Sequence, residues 1–495
     1  MSLKSALISL VAPCIRAQTH RQGLRAVQDQ VSWLQKLIQS ATPTRFGNDH
    51  DFQNIKSPAD FKNHVPLRNY ESLRHYMDQV IAGEKDILWP GHPLYFAKTS
   101  GTTSGTKYIP ITPASIRPHI SAARNTILNY TARTDSKIFG GKMIFLSGSP
   151  ELSEVAGIAT GRLSGIVNHE IPSWLQGDQL PSRKTNCISD WEEKLDRIVD
   201  ETHDQDLRLI SGIPPWVQMY YERLLVKTGK STIKEIFPNL SVFIHGGVNY
   251  APYKESMATL HGGRVDTLET YPASEGFIAY QNDYKDDSLL LNTNAGLYFE
   301  FVPLEEADVE VPSRLGLVDV VMDQDYAVIL SSNAGLWGYK LGDTVRFTSL
   351  NPYKIKVSGR VKHFISAFGE HVIAKEVEEA MALVTKRLGF SVTEFSVAPQ
   401  VQPPEGGLPY HEWLVEFEET PDNLAQVEAA LDQELIRQNT YYKDLIDGGI
   451  LRTLKIKVLG KQAFRTYMKS LGKLGGQNKV PRLLNDRSLA TAIGQ

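Results

Sequence analysis

Apolar residues recur at three- and four-residue steps at Leu24, Val27, Val31, Leu34 and Leu37, which predicts an amphipathic helix ended by TPTRFG. Trp191, Leu195, Ile198 and Val199 predict another. Short apolar runs read as strands: PLYFA, KMIFL (Lys142 to Leu146), SVFIHGG (Ser241 to Gly247), LYFEFVP (Leu297 to Pro303) and AVILSSN (Ala327 to Asn333). LRLISGIPPW reads as a strand, a glycine turn and a helix opened by Pro214 and Pro215, where proline sacrifices no hydrogen bond. Strands and helices therefore alternate over about 350 residues, which implies an α/β body.

Near Gly359 the pattern changes. Val377, Met381, Val384 and Leu388 form a helical stripe stopped by Gly389, and Leu424, Val427, Leu431 and Leu435 form a second. FSVTEFSVA and EWLVEFEE alternate like half-buried strands, and LRTLKIKVLG supplies a third. This is an α+β unit of about 135 residues, enough for its own core. The boundary falls between Val357 and Lys362, giving expected domains of residues 1–357 and 358–495.

Composition changes the picture little. The chain has 495 residues, 41% hydrophobic and 22% charged, with a net charge of −3. It belongs to the ordinary globular class, with no strong field for nucleic acid and no polybasic run for a membrane surface. Two scattered cysteines, Cys14 and Cys187, make neither a disulfide framework nor a zinc site, and fit a reducing cytoplasm. The N-terminal run from Ala6 to Ile15 follows Lys4, but Arg16 comes directly after it and no A-x-A cleavage site follows. A helix packed on the body is the expectation there. No apolar run reaches about 18 residues, so no membrane-spanning helix is expected.

The chemistry concentrates in three segments. KTSGTTSGTKYIP (Lys98 to Pro110) is not a Walker A loop, because Gly105 comes one position early and Thr106 stands where the second glycine belongs. It still suits phosphate. Gly101 and Gly105 let backbone N–H groups approach, Ser100, Thr102, Thr103 and Ser104 offer hydroxyls, and Lys107 adds charge. On composition alone a solvated linker is the competing reading. TYPASEGFIAYQ (Thr270 to Gln281) sets Glu275 between Ser274 and Gly276. GLWGYKLGDTVRF (Gly335 to Phe347) sets Asp343 after Gly342. One carboxylate can accept from both ribose hydroxyls and another can hold Mg²⁺ against phosphate oxygens, although a turn and a hairpin corner would explain each segment separately.

Together and in this order, TSGTTSGTKYIP, YPASEG and YKLGD resemble the three ATP loops of the acyl acid amido synthetases. The best-known members of that family conjugate auxin and jasmonate in plants, and the family sits within the adenylate-forming superfamily with acyl-CoA synthetases and luciferases. TRFG, VPLRNYESLRHYM, GIPPW, GLYFEFVP, FGEHV and NTYYKDLID extend the resemblance from about Thr44 to Arg482. It implies a large N-terminal α/β adenylation body with a small, mobile C-terminal α+β domain. ATP and Mg²⁺ are the implied cofactors.

The resemblance also implies roles. Ser100 to Gly105 would wrap the β- and γ-phosphates, with Lys107 and Ser274 at the nucleotide. Glu275 would bind Mg²⁺ or the phosphate it bridges; Tyr271 and Gly246-Gly247 would flank the adenine; Asp343 would hold the ribose. GQNKVPR resembles the family's final lysine motif, so Lys479 would reach the α-phosphate, and Lys362 in SGRVKHF would lie near the hinge. The implied reaction activates a small carboxylic acid as an acyl-adenylate and transfers it to an amino acid, releasing pyrophosphate and AMP. An acyl-CoA-type ligase is the alternative. Two departures stand out: His371 follows Gly369-Glu370 where plant members usually carry lysine, and Lys340 replaces a common arginine. His245, ending an apolar strand beside Gly246, reads more readily as a satisfied core histidine than as a base. Neither the acid nor the oligomeric state is legible.

Overall fold

The computed structural model describes residues 3–493 apart from 101–105, 135–136, 189, 249, 251–252, 308, 362–363, 366, 371 and 471–479. The predicted helical stripe forms Ala26–Ala41, where Leu34, Leu37 and Ile38 are buried. The other expected stripe residues are not: Val27 is half-buried, Val31 is exposed, and Leu24 ends the preceding helix, Leu3–Leu24, with its side chain in solvent. The polar Gln30 takes the core position instead. Its amide nitrogen donates to the Thr293 and Leu297 carbonyls and its oxygen accepts from the Phe299 N–H, so a fully bonded amide replaces an apolar contact. The N-terminal helix packs through Ala12, Ile8 and Ile15 against Leu128 and Tyr130 of the helix Pro113–Thr134.

Strands β1 (Tyr95–Ser100) and β2 (Thr106–Ile111) form an antiparallel hairpin. After β3 (Lys142–Phe145), the chain adds β4 (Ser153–Val155) and β5 (Ile158–Gly161), completing a small sheet of order β2-β1-β5-β4 in which β1 and β5 are parallel. β3 belongs to a larger sheet. With β6 (Gln179–Leu180), β7 (Leu207–Ser211), β8 (Val242–Gly246) and β9 (Asp266–Ala273) it makes a parallel half. The helices Pro214–Thr228 and Lys254–His261 supply the crossovers that parallel neighbours require.

Beyond β9 the connections shorten and the sheet turns antiparallel. It continues through β10 (Gly276–Tyr280), β11 (Leu289–Leu291), β12 (Leu297–Pro303), β13 (Asp325–Ser332), β14 (Tyr339–Leu350) and β15 (Tyr353–Arg360). The order is β12-β13-β14-β15-β11-β10-β9-β8-β7-β3-β6. The alternation expected along the whole body therefore holds only to Ala273; among the described residues no α-helix lies between His261 and Ala374. β9–β10, β12–β13, β13–β14 and β14–β15 pair as antiparallel neighbours without crossover helices, while β12 lies at the far edge of the sheet, away from β11.

A smaller C-terminal domain follows the short pair β16 (Phe364–Ile365) and β17 (Val372–Ile373). Its sheet has the order β18 (Val392–Gln400), β19 (Tyr410–Phe417), β20 (Lys455–Val458). The expectation of half-buried strands fails for β19, which is buried along its whole length. Trp413, Val415 and Phe417 pack with Val377, Val384 and Leu431 of the helices Ala374–Leu388 and Leu424–Gln438. Leu414 packs on the other face with Phe464 and Leu489 of the helices Ala463–Ser470 and Ser488–Ile493. Helices cover both faces, so polar alternation in the sequence marks buried, bonded groups rather than solvent. His411 is one of these: its Nε2 lies 2.7 Å from Glu370 Oε1 and both side chains are wholly buried.

Candidate active site

The hairpin β1–β2 presents the first motif. The ladder runs unbroken from Tyr95↔Ile111 to Ser100↔Thr106, so paired strands hold both ends of the Ser/Thr/Gly loop. Residues 101–105, which include Gly101, Thr102, Thr103, Ser104 and Gly105, lie outside the described residues, as do Lys362, His371 and Lys479. Lys107 sits on β2 with its ammonium 5.6 Å from the centre of the Tyr70 ring. The Tyr70 hydroxyl accepts from the Tyr108 N–H at 3.0 Å and pins this strand to the helix Tyr70–Ile81.

The second motif is also a hairpin. Ala273 pairs with Gly276, leaving Ser274 and Glu275 as a two-residue tip between β9 and β10. Gly276 packs closely: a Cβ there would come within 2.7 Å of the Leu297 side chain, which would have to shift. At the neighbouring strand end, β8 finishes on Gly246, where a Cβ would meet the Thr270 carbonyl at 2.3 Å. Gly247 has φ +82, a conformation that favours glycine. Thr270 Oγ1 donates to the His245 carbonyl at 3.0 Å, which fixes this close approach. Gly246-Gly247 thus lies at the carboxyl end of a parallel strand, beside the residue preceding Tyr271. Ligands in open α/β sheets bind at such ends.

The third motif is joined to the second directly. Asp343 is 7% exposed, and the Tyr271 hydroxyl donates to its Oδ2 at 2.5 Å. β9 and β14 are separated by β10, β11 and β15 in the sheet order. Four flat inter-strand intervals would span about 19 Å, far beyond the reach of a tyrosine. The sheet must therefore fold over here, bringing Tyr271 and Asp343 onto one concave surface. Gly342, at φ +91, sits in a bulged stretch of β14 immediately before the carboxylate.

His245 is buried, as expected. Among the described residues its Nδ1 finds no hydrogen-bond partner, its ring stacks on Tyr250 at 4.2 Å, and burial holds the imidazole pKa down to about 3. It is neutral at physiological pH. Nearby on β9, burial raises the Glu269 carboxyl to about 7, with the Asp287 charge adding to the effect. Among the described residues no group of three His, Cys, Asp or Glu side chains is placed to form a metal cage.

Comparison with known proteins follows this layout. Family models for the GH3 N-terminal, central and C-terminal domains match residues 17–179, 290–360 and 375–488. The chain belongs to the GH3 family. The second motif lies between the matched N-terminal and central segments of this GH3 chain, while Asp343 lies inside the central one. A jasmonoyl–L-amino acid synthetase of Nicotiana attenuata, JAR4, is 21% identical over 93% of this chain and 92% of its own. An indole-3-acetic acid-amido synthetase of Arabidopsis thaliana, GH3.4, is 22% identical over 98% and 95%. The solved structure of the AtGH3.15 acyl acid amido synthetase in complex with 2,4-DB shares the fold, with a TM-score of 0.63 at 17% identity over 98% of this chain and 96% of that one. Among the described residues no helix of this GH3 protein is long and apolar enough to cross a membrane.

Two residues near the first motif went unread in the sequence. The Tyr441 hydroxyl donates to the Lys98 carbonyl at 2.8 Å, and the Arg162 guanidinium lies 4.8 Å from the centre of the Tyr441 ring while pairing with Asp444. NTYYKDLID carried a family resemblance but no chemistry, and Arg162 had no motif around it.

Proposed function

We propose that this GH3 protein is an ATP-dependent ligase that activates a small carboxylic acid as its acyl-adenylate and transfers the acyl group to an amino acid. The observation that carries this reading is the Tyr271–Asp343 hydrogen bond, which joins the second and third nucleotide motifs beside Gly246-Gly247. The family and near full-length coverage of amino acid-conjugating relatives support it.

A carboxylate oxygen leaves poorly, so the acid first attacks the α-phosphate of ATP in line and pyrophosphate departs. In our reading Asp343 accepts from the ribose hydroxyls while Tyr271 holds the carboxylate in place and flanks the adenine. Gly246 and Gly247 keep the adenine slot free of side chains. Backbone N–H groups and hydroxyls of residues 100–105 bind the departing phosphates, with Lys107 behind them, and Ser274 sits beside Glu275 at the hairpin tip. Mg²⁺, held by Glu275, would neutralise phosphate charge when bound. Lys479 reaches the α-phosphate and stabilises the charge developing there; positioning and electrostatics dominate such steps. The neutral amine of the amino acid then attacks the acyl carbonyl and AMP leaves.

We assign residues 1–357 to the adenylation body and 358–495 to a C-terminal domain that rotates about Lys362 between the two steps, withdrawing Lys479 and admitting the amine. The two cysteines are unpaired, which suits a cytoplasmic setting. ATP–pyrophosphate exchange with a panel of acids tests the first step. Exchange with no acid in a broad panel would refute the reading.

A further inference from the structure

We propose that Tyr441, with Arg162 and Asp444, is a positioning device by which the C-terminal domain holds the strand leading into the first ATP motif. The inference rests on the ligase reading for its catalytic consequence but on geometry for the contact itself. The helix Thr440–Asp447 is rigidly seated in its own domain. The Asn439 side chain caps it by accepting from the Tyr442 N–H at 2.8 Å and also donates to Glu376 at 3.1 Å. Tyr442 and Leu445 are buried, and the Tyr442 hydroxyl donates to Asp432 at 2.5 Å.

Tyr441 and Asp444 leave this platform and meet the small sheet of the body. Ala97 on β1 is registered against Gly161 on the parallel β5, so Lys98 and Arg162 lie one step further along neighbouring strands. Tyr441 takes the Lys98 carbonyl as acceptor, and Arg162 both covers the Tyr441 ring and pairs with Asp444. The two contacts hold both strands at the same level. Lys98 stands two residues before Ser100, where the loop begins. A domain that grips β1 here fixes the base of the loop, and one that rotates away releases it. The β- and γ-phosphates are present only before pyrophosphate leaves, so the grip matters to the first step alone.

The test uses the full chain with Tyr441→Phe, Arg162→Ala, and the exchange Arg162→Asp with Asp444→Arg. Amide hydrogen exchange of residues 95–100 and 106–111 reads the grip without any reaction. Both single variants should exchange faster there. In pyrophosphate exchange each should raise KM for ATP about three- to tenfold, the span of one modest hydrogen bond. Turnover of supplied acyl-adenylate should not change, and the charge exchange should restore part of the ATP affinity lost on removing Arg162. Unchanged amide exchange and KM in both variants, or equal losses in both steps, would overturn the proposal. If wild type exchanges no pyrophosphate with any acid while Tyr441→Phe still loosens the hairpin, the grip stands and the ligase reading falls.

Discussion

Replacing Asp343 with Ala probes the proposed nucleotide site at its best-defined point. The carboxylate is 7% exposed and one oxygen accepts from Tyr271 at 2.5 Å, and in the proposed reading the carboxylate accepts from the ribose. A hydrogen bond to a charged acceptor contributes about 1.5–3 kcal/mol. At 1.4 kcal/mol per tenfold, that is a loss of about 10- to 150-fold in ATP affinity. Titration calorimetry with ATP and no acid measures it directly. Tyr271→Phe separates holding from binding: the carboxylate remains but loses its anchor, so affinity should fall only several-fold. The decisive control is 2′-deoxy- or 3′-deoxy-ATP. Wild type should bind the relevant analogue more weakly than ATP, and Asp343→Ala should bind the two alike. If both analogues lose as much against the variant as against wild type, Asp343 does not hold the ribose.

Other consequences are as specific. Gly246→Ala forces a Cβ to within 2.3 Å of a backbone carbonyl, so it should cost at least about 2 kcal/mol of stability in urea unfolding and weaken ATP binding as the β8–β9 end shifts. Lys479→Ala should slow pyrophosphate exchange by roughly 10²–10³ yet still convert supplied acyl-adenylate, the pattern for one lost preorganised donor. Glu275→Gln should raise the Mg²⁺ concentration needed for half-maximal rate, with excess metal restoring part of it. Glu269 ionises against burial: its folded pKa of about 7 lies above the usual 4.5, so the penalty is absent at pH 4, grows between those values and is complete above pH 7. Glu269→Gln should therefore raise stability by up to roughly 3 kcal/mol at pH 8 and leave it unchanged near pH 4 in parallel unfolding curves.

What the sequence made legible follows from its periodicities. Strand β8, the proline-opened helix Pro214–Thr228 and the helix Ala374–Leu388 with its stop at Gly389 all stand where apolar spacing and turn residues put them. The antiparallel half of the large sheet was not legible, because an apolar run looks the same whichever way its neighbour points. Gln30 was missed because a buried amide carries no apolar signal; β19 was read as a strand, but its full burial was not, because burial on both faces erases the meaning of alternation. Tyr271 and Asp343 could each be singled out by motif, but their contact depends on the folding-over of a sheet across three intervening strands. Tyr441 and Arg162 meet only through domain docking, which leaves no local trace in either segment.

The central claim is amide formation through an adenylate, and a single competition measures it. Purified protein receives ATP, Mg²⁺ and an acid that supports pyrophosphate exchange, together with a broad amino-acid panel and CoA in the same vessel, and products are resolved by mass spectrometry. The account predicts AMP, pyrophosphate and an acyl–amino acid amide in equal amounts, with at most a trace of thioester. Thioester forming faster than amide would contradict it, and so would ADP with inorganic phosphate in place of AMP.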